Sequence, residues 1–426
     1  MFFSIPASHW TIWAIVFAAT AAVILRPGHW PEAVWAVAGA LALVVGQWLP
    51  WRAALHAVGK GLDVYLFLAG MMLVSELARR EGLFDFLAAR AVRLASGSGT
   101  RLFLWVYGIG VLVTVFMSND ATAVVLTPAV YAATKKAGAK PLPYLLACAF
   151  IANAASFVLP ISNPANLVIF GAHMPPLGLW IRTFTLASLA SIVTTWAVLR
   201  WLQRDALADS IARDIAQPAL SGTGWLAAYG LALVALVLVT ASALNAALGL
   251  TTLLTASLVA AIVTLRKRES PVALLRGVSW SVLALVAGLF VLVEALVQTG
   301  VVTLLSNTVR HAAAASPDGT AWGLGALIAV LCNVINNLPA GLMAGSVLAD
   351  ANASTLIRSA ATIGIDLGPN LSVTGSLATL LWLVAIRREG ENVTAWQFLR
   401  VGAVAMPLAL TASLGALYLQ QQQAGR

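Results

Sequence analysis

Two asparagine-containing clusters interrupt long apolar stretches of the chain and lie 217 positions apart, at 118–120 and 336–339. Each is followed by a second polar break, at 160–166 and 368–376. Amide and hydroxyl side chains both donate and accept hydrogen bonds, so such clusters suit a small polar solute. Duplicated polar breaks within duplicated apolar segments are typical of the binding site of a secondary transporter. We take the following residues as candidates for substrate binding: Ser118, Asn119, Asp120, Ser162, Asn163, Asn166, Asn336, Asn337, Thr374, Gly375 and Ser376.

Four acidic residues are candidates for carrying a coupled proton, because an intramembrane carboxylate is costly and is a functional candidate by default. Asp120 comes first, since it lies in a predicted hairpin tip while its partner position in the repeat is the neutral Asn337. Asp366, just before the second break, comes next. Glu294 and Glu76 follow; they repeat in register, 218 positions apart, and both a structural and a coupling role are open for them.

A simpler interpretation is that these residues only end and begin helices. Ser, Asn and Asp at 118–120 are preferred N-cap types, and Pro339 suits the first turn of a helix. Pro160, Pro164 and Pro369 would kink any helix that contains them. Each break taken alone is explained in this way, whereas two symmetric pairs of breaks favour a binding site.

Composition predicts an all-α polytopic membrane protein. The chain is 60% apolar and 10% charged, with a mean hydropathy of +0.90, against roughly 25% charged residues in soluble domains. Its net charge of +9 comes from Lys and Arg in short loops, which act as topology signals, so we expect no nucleic-acid partner. Cys148 and Cys332 lie in apolar segments and the five histidines lack metal-ligand spacing, so no disulfide, metal or cofactor is expected. The chain has no phosphate-binding glycine-rich loop, which favours a transporter over an enzyme.

The sequence predicts two inverted repeats, each with five transmembrane helices and one re-entrant hairpin. The first repeat covers 1–205, the second 223–426, and a cytoplasmic linker at 206–222 joins them. The hairpins are predicted at 101–135 and 321–350, the broken helices at 142–171 and 354–386, and the other spans at 10–25, 31–49, 62–78, 180–201, 224–244, 248–265, 279–299 and 397–419. This arrangement places 19 of the 25 Lys and Arg on one side, which we assign to the cytoplasm. Both termini then lie outside.

Four motifs resemble the ArsB arsenite/antimonite efflux pump family. They are SNDATAVVLTP at 118–128, SNPANL at 162–167, NNLP at 336–339 and DLGPNLSVTGSLATLLW at 366–382, and the last is the most specific. The resemblance covers nearly the whole chain. It implies the ion transporter superfamily layout, in which a transport part moves against a scaffold, with the site at the two hairpin tips and the two breaks.

The same resemblance implies an activity and partners. Such a pump exports arsenite or antimonite across the inner membrane in exchange for protons, by alternating access, and sometimes associates with a separate ArsA-type ATPase. Neutral arsenite suits the amides and hydroxyls of the motifs, whereas a dicarboxylate would more naturally recruit Arg or Lys, which the motifs lack.

Three alternatives remain open. The first is a sodium/proton antiporter of the same superfamily, with Asn119, Asp120, Asn163 and freed carbonyl groups as cation ligands. The second is a dicarboxylate or citrate symporter. The third, from a different class, is a non-transporting membrane scaffold or receptor, for which symmetric unwound segments have no evident use.

Overall fold

The computed structural model describes residues 6–171, 174–213, 215–216 and 218–424. Within these ranges the regular structure is helical, apart from one isolated β-bridge between Ser98 and Ser210. The predicted all-α class is therefore confirmed. Both chain ends, whose location outside the cytoplasm was predicted, lie outside the described residues.

The first half of the chain contains helices α1 to α12. Their bounds are α1 Ala7–Leu25, α2 Glu32–Val45, α3 Trp51–Lys60, α4 Leu62–Arg80, α5 Leu83–Ala95, α6 Gly99–Phe116, α7 Asn119–Ala121, α8 Thr127–Lys136, α9 Leu142–Ala154, α10 Pro164–Phe170, α11 Leu177–Leu202 and α12 Arg204–Leu207. A π-helical turn, Thr122–Leu126, joins α7 to α8. Pro128 explains this turn, because its missing N–H interrupts the regular ladder of the arm.

The second half contains helices α13 to α22. Their bounds are α13 Gly222–Ala243, α14 Leu248–Lys267, α15 Pro271–Gly277, α16 Ser281–Gln298, α17 Val301–Ala315, α18 Pro317–Ile335, α19 Asn337–Asp350, α20 Thr355–Leu367, α21 Leu377–Arg388 and α22 Ala395–Ala424. These helices follow the order of α1 to α11, with α19 in the place of α7 and α8. The opposite membrane orientation of the halves stays a prediction.

Eight helices in the described part of the chain are long and apolar enough to cross a membrane. They are α1, α6, α11, α13, α14, α16, α18 and α22, and α3 with α4, bent by 50°, would make a ninth span. This set differs from the ten predicted spans. It includes α6 and α18, the first arms of the predicted hairpins, and it omits α2, α9 and α20, which have 13 or 14 residues where about 20 are needed. Length alone therefore does not separate a hairpin arm from a span, and re-entry stays a prediction.

The helices pack in two groups. In the first, α4 lies against α14 and α2 against α16; in the second, α11 lies against α22 and α18 against α20. In lipid, helices gain little hydrophobic free energy by packing together. They associate through van der Waals contacts, which small residues strengthen because they let the backbones come close. At Gly70 on α4, an added Cβ would lie 2.8 Å from Thr252 on α14, so the glycine permits this contact. We propose that the two groups correspond to the scaffold and the transport part.

Three loops that are predicted on the cytoplasmic side contact one another. The backbone N–H of Ile211 donates to the carbonyl of Gly97 at 3.1 Å, and that of Ala212 donates to Ala137 at 2.9 Å. The linker after α12 therefore runs along the base of the first hairpin. This contact places the linker and the two ends of that hairpin at one face of the molecule.

The inverted arrangement makes a testable prediction about orientation. We expect a cysteine at position 136 and one at position 350 to react with a membrane-impermeant maleimide from opposite sides of the membrane. Lys136 and Asp350 are exposed, whereas the native Cys148 and Cys332 are buried and contribute little background labelling. Labelling of intact cells and of everted vesicles measures the side. Labelling of both positions from the same face would contradict the inverted repeat.

Candidate functional site

The first hairpin tip is built around a capped helix N-terminus. The Ser118 hydroxyl accepts a hydrogen bond from the Ala121 N–H at 3.3 Å, which makes Ser118 the N-cap of α7. The Asn119 Oδ1 accepts from the Asp120 N–H at 3.0 Å, and Asn119 is buried. A helix N-terminus attracts anions and polar oxygens, since its first N–H groups have no partner in the helix. Ser118 therefore acts as a cap, in line with the simpler interpretation, and that interpretation does not account for the Asp120 carboxylate.

Asp120 differs from its neighbours in its exposure. Its side chain is partly exposed, while Ser118 and Asn119 are 6% and 3% exposed. Within the described residues, its carboxylate accepts no side-chain hydrogen bond and forms no ion pair. A carboxylate at the first turn of a helix is favoured by the helix dipole. Asp120 is therefore placed to gain or lose a proton without breaking a structural contact.

The first break connects α9 to α10 and is tied to the first hairpin. Ser162 donates its hydroxyl proton to the Val115 carbonyl near the end of α6, at 3.0 Å. The same hydroxyl accepts from the Leu159 N–H at 3.2 Å. Ser162 thus satisfies one carbonyl of the hairpin and one N–H of the break. Such partners are required because an unpaired backbone group in the membrane interior costs several kcal/mol.

Asn163 joins the two broken helices. Its Oδ1 caps α10 by accepting from the Ala165 N–H at 3.0 Å, and its Nδ2 donates to Asp366 Oδ1 on α20 at 2.7 Å. Asp366 is 0% exposed and its second oxygen has no partner. Asn166 lies on α10, three residues after Asn163. Its Nδ2 donates to the Ser156 carbonyl at 2.9 Å, and its Oδ1 has no partner.

The second hairpin tip is held by the second break. The Asn337 N–H donates to the Gly375 carbonyl at 2.9 Å, and the Asn336 Nδ2 donates to the Thr374 carbonyl at 3.4 Å. Asn336 has φ +70° and ψ 152°, a backbone conformation that residues other than glycine rarely adopt. This strained residue is therefore fixed by contacts from another element. Thr374 in turn donates its hydroxyl proton to the Asn333 carbonyl on α18 at 3.0 Å.

Gly375 has no room for a side chain. An added Cβ would lie 2.4 Å from the Cα of Pro369 and 2.8 Å from Asn333 Oδ1. Because the nearest atom belongs to backbone, the clash cannot be relieved by a rotamer change. The close approach brings the Gly375 carbonyl to the N–H of the hairpin tip.

A second polar cluster was missed from the sequence. Asn153 on α9 donates from Nδ2 to Asn370 Oδ1 at 3.0 Å, and its Oδ1 is 3.5 Å from the Ser376 hydroxyl. Ser376 caps α21 by accepting from the Thr379 N–H at 3.1 Å. All four residues are at most 1% exposed. Asn153 and Thr379 lie in stretches that are otherwise apolar, and a buried asparagine in such a stretch was the available signal.

Glu76 and Glu294, which repeat in the sequence, both form ion pairs at the ends of their helices. Glu76 Oε1 lies 2.7 Å from an Arg79 nitrogen and 2.9 Å from Arg80 Nε. Glu294 Oε2 lies 2.8 Å from Lys60 Nζ at the end of α3. Neither glutamate joins the clusters around Asp366 and Asn153. Of the two roles left open, these contacts favour the structural one.

A cavity of about 1050 Å³ separates the two helix groups close to this site. It is lined by α3, α4, α14 and α16 on one side and by α10, α19 and α20 on the other. Of the candidate residues, Glu294 lines it. The cavity borders α10 from Leu167 onward, while Asn163, Asn166 and Asp366 behind it are at most 1% exposed. The polar breaks are therefore closed off from the cavity in this conformation.

The two cations among the described lining residues already have partners. Lys60 pairs with Glu294, as noted. Arg358 donates from Nε to the Ala353 carbonyl at 3.1 Å and from a terminal nitrogen to the Leu348 carbonyl at 3.2 Å. The charge of Lys60 is therefore compensated by Glu294, whereas Arg358 has carbonyl partners and no anionic partner among the described residues.

Comparison with known proteins gives consistent results over nearly the whole chain. The sequence model of the family described as citrate transporter, CitMHS, matches residues 14–385. The chain is 29% identical over 371 residues to the arsenical pump membrane protein of Escherichia coli strain K12, covering 82% of this chain and 84% of that protein. It is 27% identical over 385 residues to an uncharacterized transporter of Mycobacterium tuberculosis, covering 85% and 87%. The resemblance to the arsenical pumps is therefore confirmed.

Two solved structures share the fold. The YdaH transporter of Alcanivorax borkumensis superimposes with a TM-score of 0.57 at 18% identity, covering 88% of each chain. MtrF of Neisseria gonorrhoeae superimposes with a TM-score of 0.54 at 13% identity, covering 89% of this chain and 84% of that one. At these identities the likeness extends to the fold alone.

The tight contact at Gly375 makes a testable prediction. We expect Gly375→Ala to lower the free energy of unfolding by about 1–3 kcal/mol, since overpacking displaces backbone next to the hairpin tip. Gly323→Ala on α18 is the matched control, because nothing lies within 4 Å of its added Cβ. It should stabilise the helix by up to about 1 kcal/mol. Thermal unfolding in detergent compares the two, and equal midpoints would contradict the contact.

Proposed function

The chain belongs to the citrate transporter family, CitMHS, and is a multi-pass membrane transporter, and on that premise we propose that it exports arsenite or antimonite from the cytoplasm in exchange for protons. The substrate is suggested by its arsenical pump relatives. The observation that supports this choice within the chain is the composition of the buried breaks. Their polar side chains are amides and hydroxyls, and among the described residues Asp366 is the carboxyl group hydrogen-bonded to them.

Neutral trivalent arsenic fits such a site. Arsenite near neutral pH is mostly an uncharged trihydroxide, which donates and accepts hydrogen bonds through its three hydroxyl groups. Asn119, Asn163, Asn337, Thr374 and Ser376 offer both capacities. They are proposed to bind the hydroxyl groups once the hairpin tips and breaks separate enough to admit them. The scarcity of thiols fits release of the cargo, since several thiolates would hold arsenic tightly.

Citrate is the second candidate, because the family is described as citrate transporters. A carboxylate substrate is usually bound by Arg or Lys in bidentate or charge-assisted hydrogen bonds. Lys60, which lines the cavity, is paired with Glu294, and Arg358, which also lines it, lies outside the polar breaks. The polar breaks themselves contain no Arg or Lys. The composition of the breaks therefore favours the neutral substrate over citrate.

Alternating access is proposed to expose the breaks to each side in turn. The cavity and the buried breaks are separated by α10 and by α19, which pack closely. At Gly345 on α19, an added Cβ would lie 2.9 Å from the Ile169 carbonyl on α10. Movement of this pair relative to α4 and α16 would carry the site past the other helix group. Such a mechanism needs no nucleotide hydrolysis, so an ArsA-type ATPase would be an optional partner.

Proton coupling is proposed to involve Asp120. The hairpin tip that carries a charged Asp120 must keep it solvated or paired, and desolvation of a carboxylate costs several kcal/mol. Protonation removes this cost and favours movement of the tip through the apolar interior. If arsenite and the proton bind opposite-facing states preferentially, their exchange follows from the shift in population.

The proposed substrate makes a testable prediction. Everted membrane vesicles from cells that express the protein, without ATP, should accumulate arsenite or antimonite when the vesicle interior is acidic. The double variant Cys148→Ala with Cys332→Ala should retain most of this activity, because both thiols are fully buried in apolar packing. Sodium and citrate are measured in the same vesicles. Sodium or citrate uptake in place of arsenite would contradict the proposal, and loss of arsenite uptake in a well-folded double variant would move the site to the thiols.

The coupling role of Asp120 makes a separate prediction. Asp120→Asn should reduce arsenite uptake driven by the proton gradient at least about tenfold, while arsenite binding remains, since asparagine keeps the hydrogen-bonding capacity of the tip. Asp318→Asn on the exposed first turn of α18 is the matched control and should leave uptake unchanged. Continued concentration of arsenite by Asp120→Asn would show that Asp120 only supports the helix N-terminus.

A further inference from the structure

The two broken helices carry equivalent polar positions that a single offset relates. Asn153 and Asp366 are 213 positions apart (366 − 153), and so are Asn163 and Ser376 (376 − 163). The first pair lies at the C-terminal ends of the helices that precede the breaks, Asn153 on α9 and Asp366 on α20. The second pair consists of the N-caps after the breaks, on α10 and α21. A third pair, Asn166 and Thr379 (379 − 166), lies three residues farther on.

Equivalent residues of the two broken helices contact each other across the two halves. Asp366 of the second half receives the hydrogen bond from Asn163 of the first. In the equivalent place, Asn153 of the first half contacts Ser376 at 3.5 Å and Thr379 at 3.4 Å, both of the second. We define Asp366, Asn163 and Asn166 as the acid cluster and Asn153, Ser376 and Thr379 as the amide cluster. The repeat relation predicts that Asn166 faces Asp366 as Thr379 faces Asn153.

The clusters differ in their hydrogen-bond balance. The side-chain polar atoms of the amide cluster have hydrogen-bond partners, and Asn370 completes the set by accepting from Asn153 at 3.0 Å. In the acid cluster, two oxygens have no hydrogen-bond partner: Asp366 Oδ2 and Asn166 Oδ1. Both residues are 0% exposed. Both atoms are acceptors, so neither can satisfy the other unless one of them carries a proton. A buried polar atom without a partner in a native structure requires such an explanation.

We propose that the acid cluster is a proton-binding site that is occupied in this conformation, with Asp366 as a neutral acid that donates from Oδ2 to the Asn166 Oδ1. A single proton then satisfies both oxygens. Asp366 Oδ1 still accepts from Asn163, and the Asn166 Nδ2 still donates to Ser156. The inference adds a second proton to the proposed exchange and rests on that proposal for its role in transport, though its occupancy can be measured without any substrate.

The surroundings of Asp366 supply no counter-charge. From α18 the titratable neighbour is Cys332, whose Sγ lies 3.8 Å from the Ile365 carbonyl. The polar residues that face it from α10 are the neutral Asn163 and Asn166, and from the described parts of α9, α19 and α22 no charged group is bonded to it. An ionised Asp366 would be a buried charge with one hydrogen bond. Its deprotonation should therefore favour a conformation in which α10 and α20 separate and water enters.

A sodium ion is the competing occupant. Hard cations such as Ca²⁺ and Mg²⁺ take about six oxygen ligands or more in proteins. The acid cluster offers two unpartnered oxygens and no access to solvent. The oxygens available therefore suit a proton better than a metal cation.

Infrared spectroscopy of the purified protein in lipid, without arsenite, tests the site. At pH 7, where exposed carboxyl groups are ionised, we expect one C=O band from a protonated carboxylic acid. Asp366→Asn should remove this band, and Asn166→Leu should shift it to higher frequency, since the acid loses its acceptor. Asp318→Asn, on an exposed turn, and Asp120→Asn should leave it unchanged. The Asn166→Leu shift decides the question if Asp366→Asn does not fold.

Three results would overturn the inference: no such band in the unmodified protein, a band that Asp120→Asn removes instead, or a band that Asn166→Leu leaves in place. Thermal unfolding with and without sodium is the parallel measurement. A sodium-dependent rise in midpoint that Asp366→Asn abolishes would assign the cluster to a cation. Because neither measurement uses arsenite, failure of arsenite transport and failure of the proton site give different results.

Discussion

Irregular backbone at the centre of an apolar protein must find its hydrogen-bond partners inside the protein, and the site follows from this constraint. The two hairpin tips and the two breaks leave N–H and carbonyl groups that no helix satisfies. In the first half, Ser162 supplies the partner for Val115. In the second half, the N–H of Asn337 and the carbonyl of Gly375 satisfy each other. The tip of each hairpin is therefore fixed by the break of its own half, and the polar side chains gather there as a consequence.

The locations of the breaks could be predicted from sequence because they depend on local residue types. Pro164 begins α10 after its N-cap Asn163, and Ser118 caps α7, as these residue types favour. Partner choice could not be predicted, since it depends on which helices cross. Nothing local distinguishes Asn153, inside an apolar helix, as the residue that contacts Ser376.

The offset between equivalent residues of the two halves is not constant along the chain. It is 218 at Glu76 and Glu294, 217 at the tips and 213 across the breaks, because the second half is shorter between its hairpin and its broken helix. A comparison of the halves at one fixed offset therefore pairs Asp120 with Asn337 correctly, but it does not pair Asp366 with Asn153. The arms α6 and α18 have 18 and 19 residues and are as long as spans, so arm length does not distinguish re-entry from a full crossing.

The ion pairs of the first helix group show how charge can serve structure in the same fold. Lys60 at the end of α3 pairs with Glu294 on α16, and the added Cβ of Gly277 at the end of α15 would meet Glu76 on α4. The two glutamates thus lie where a short helix meets a long one, in equivalent places of the two halves. Both are paired with cations that lie outside the second helix group, so a movement of that group would leave their charge compensated.

The carboxyl groups at the first hairpin tip and before the second break follow a different rule, in which the two halves are not equivalent. Asp120 in the first hairpin corresponds to Asn337 in the second, and Asp366 in the second broken helix corresponds to Asn153 in the first. Each half therefore holds one acid where the other half holds an amide of nearly the same shape. Because aspartate and asparagine accept similar hydrogen bonds, the fold tolerates either, and only the aspartate can exchange a proton. If the halves have opposite orientations in the membrane, the two acids belong to segments that enter from opposite sides. A proton on each would then respond to a different face of the membrane.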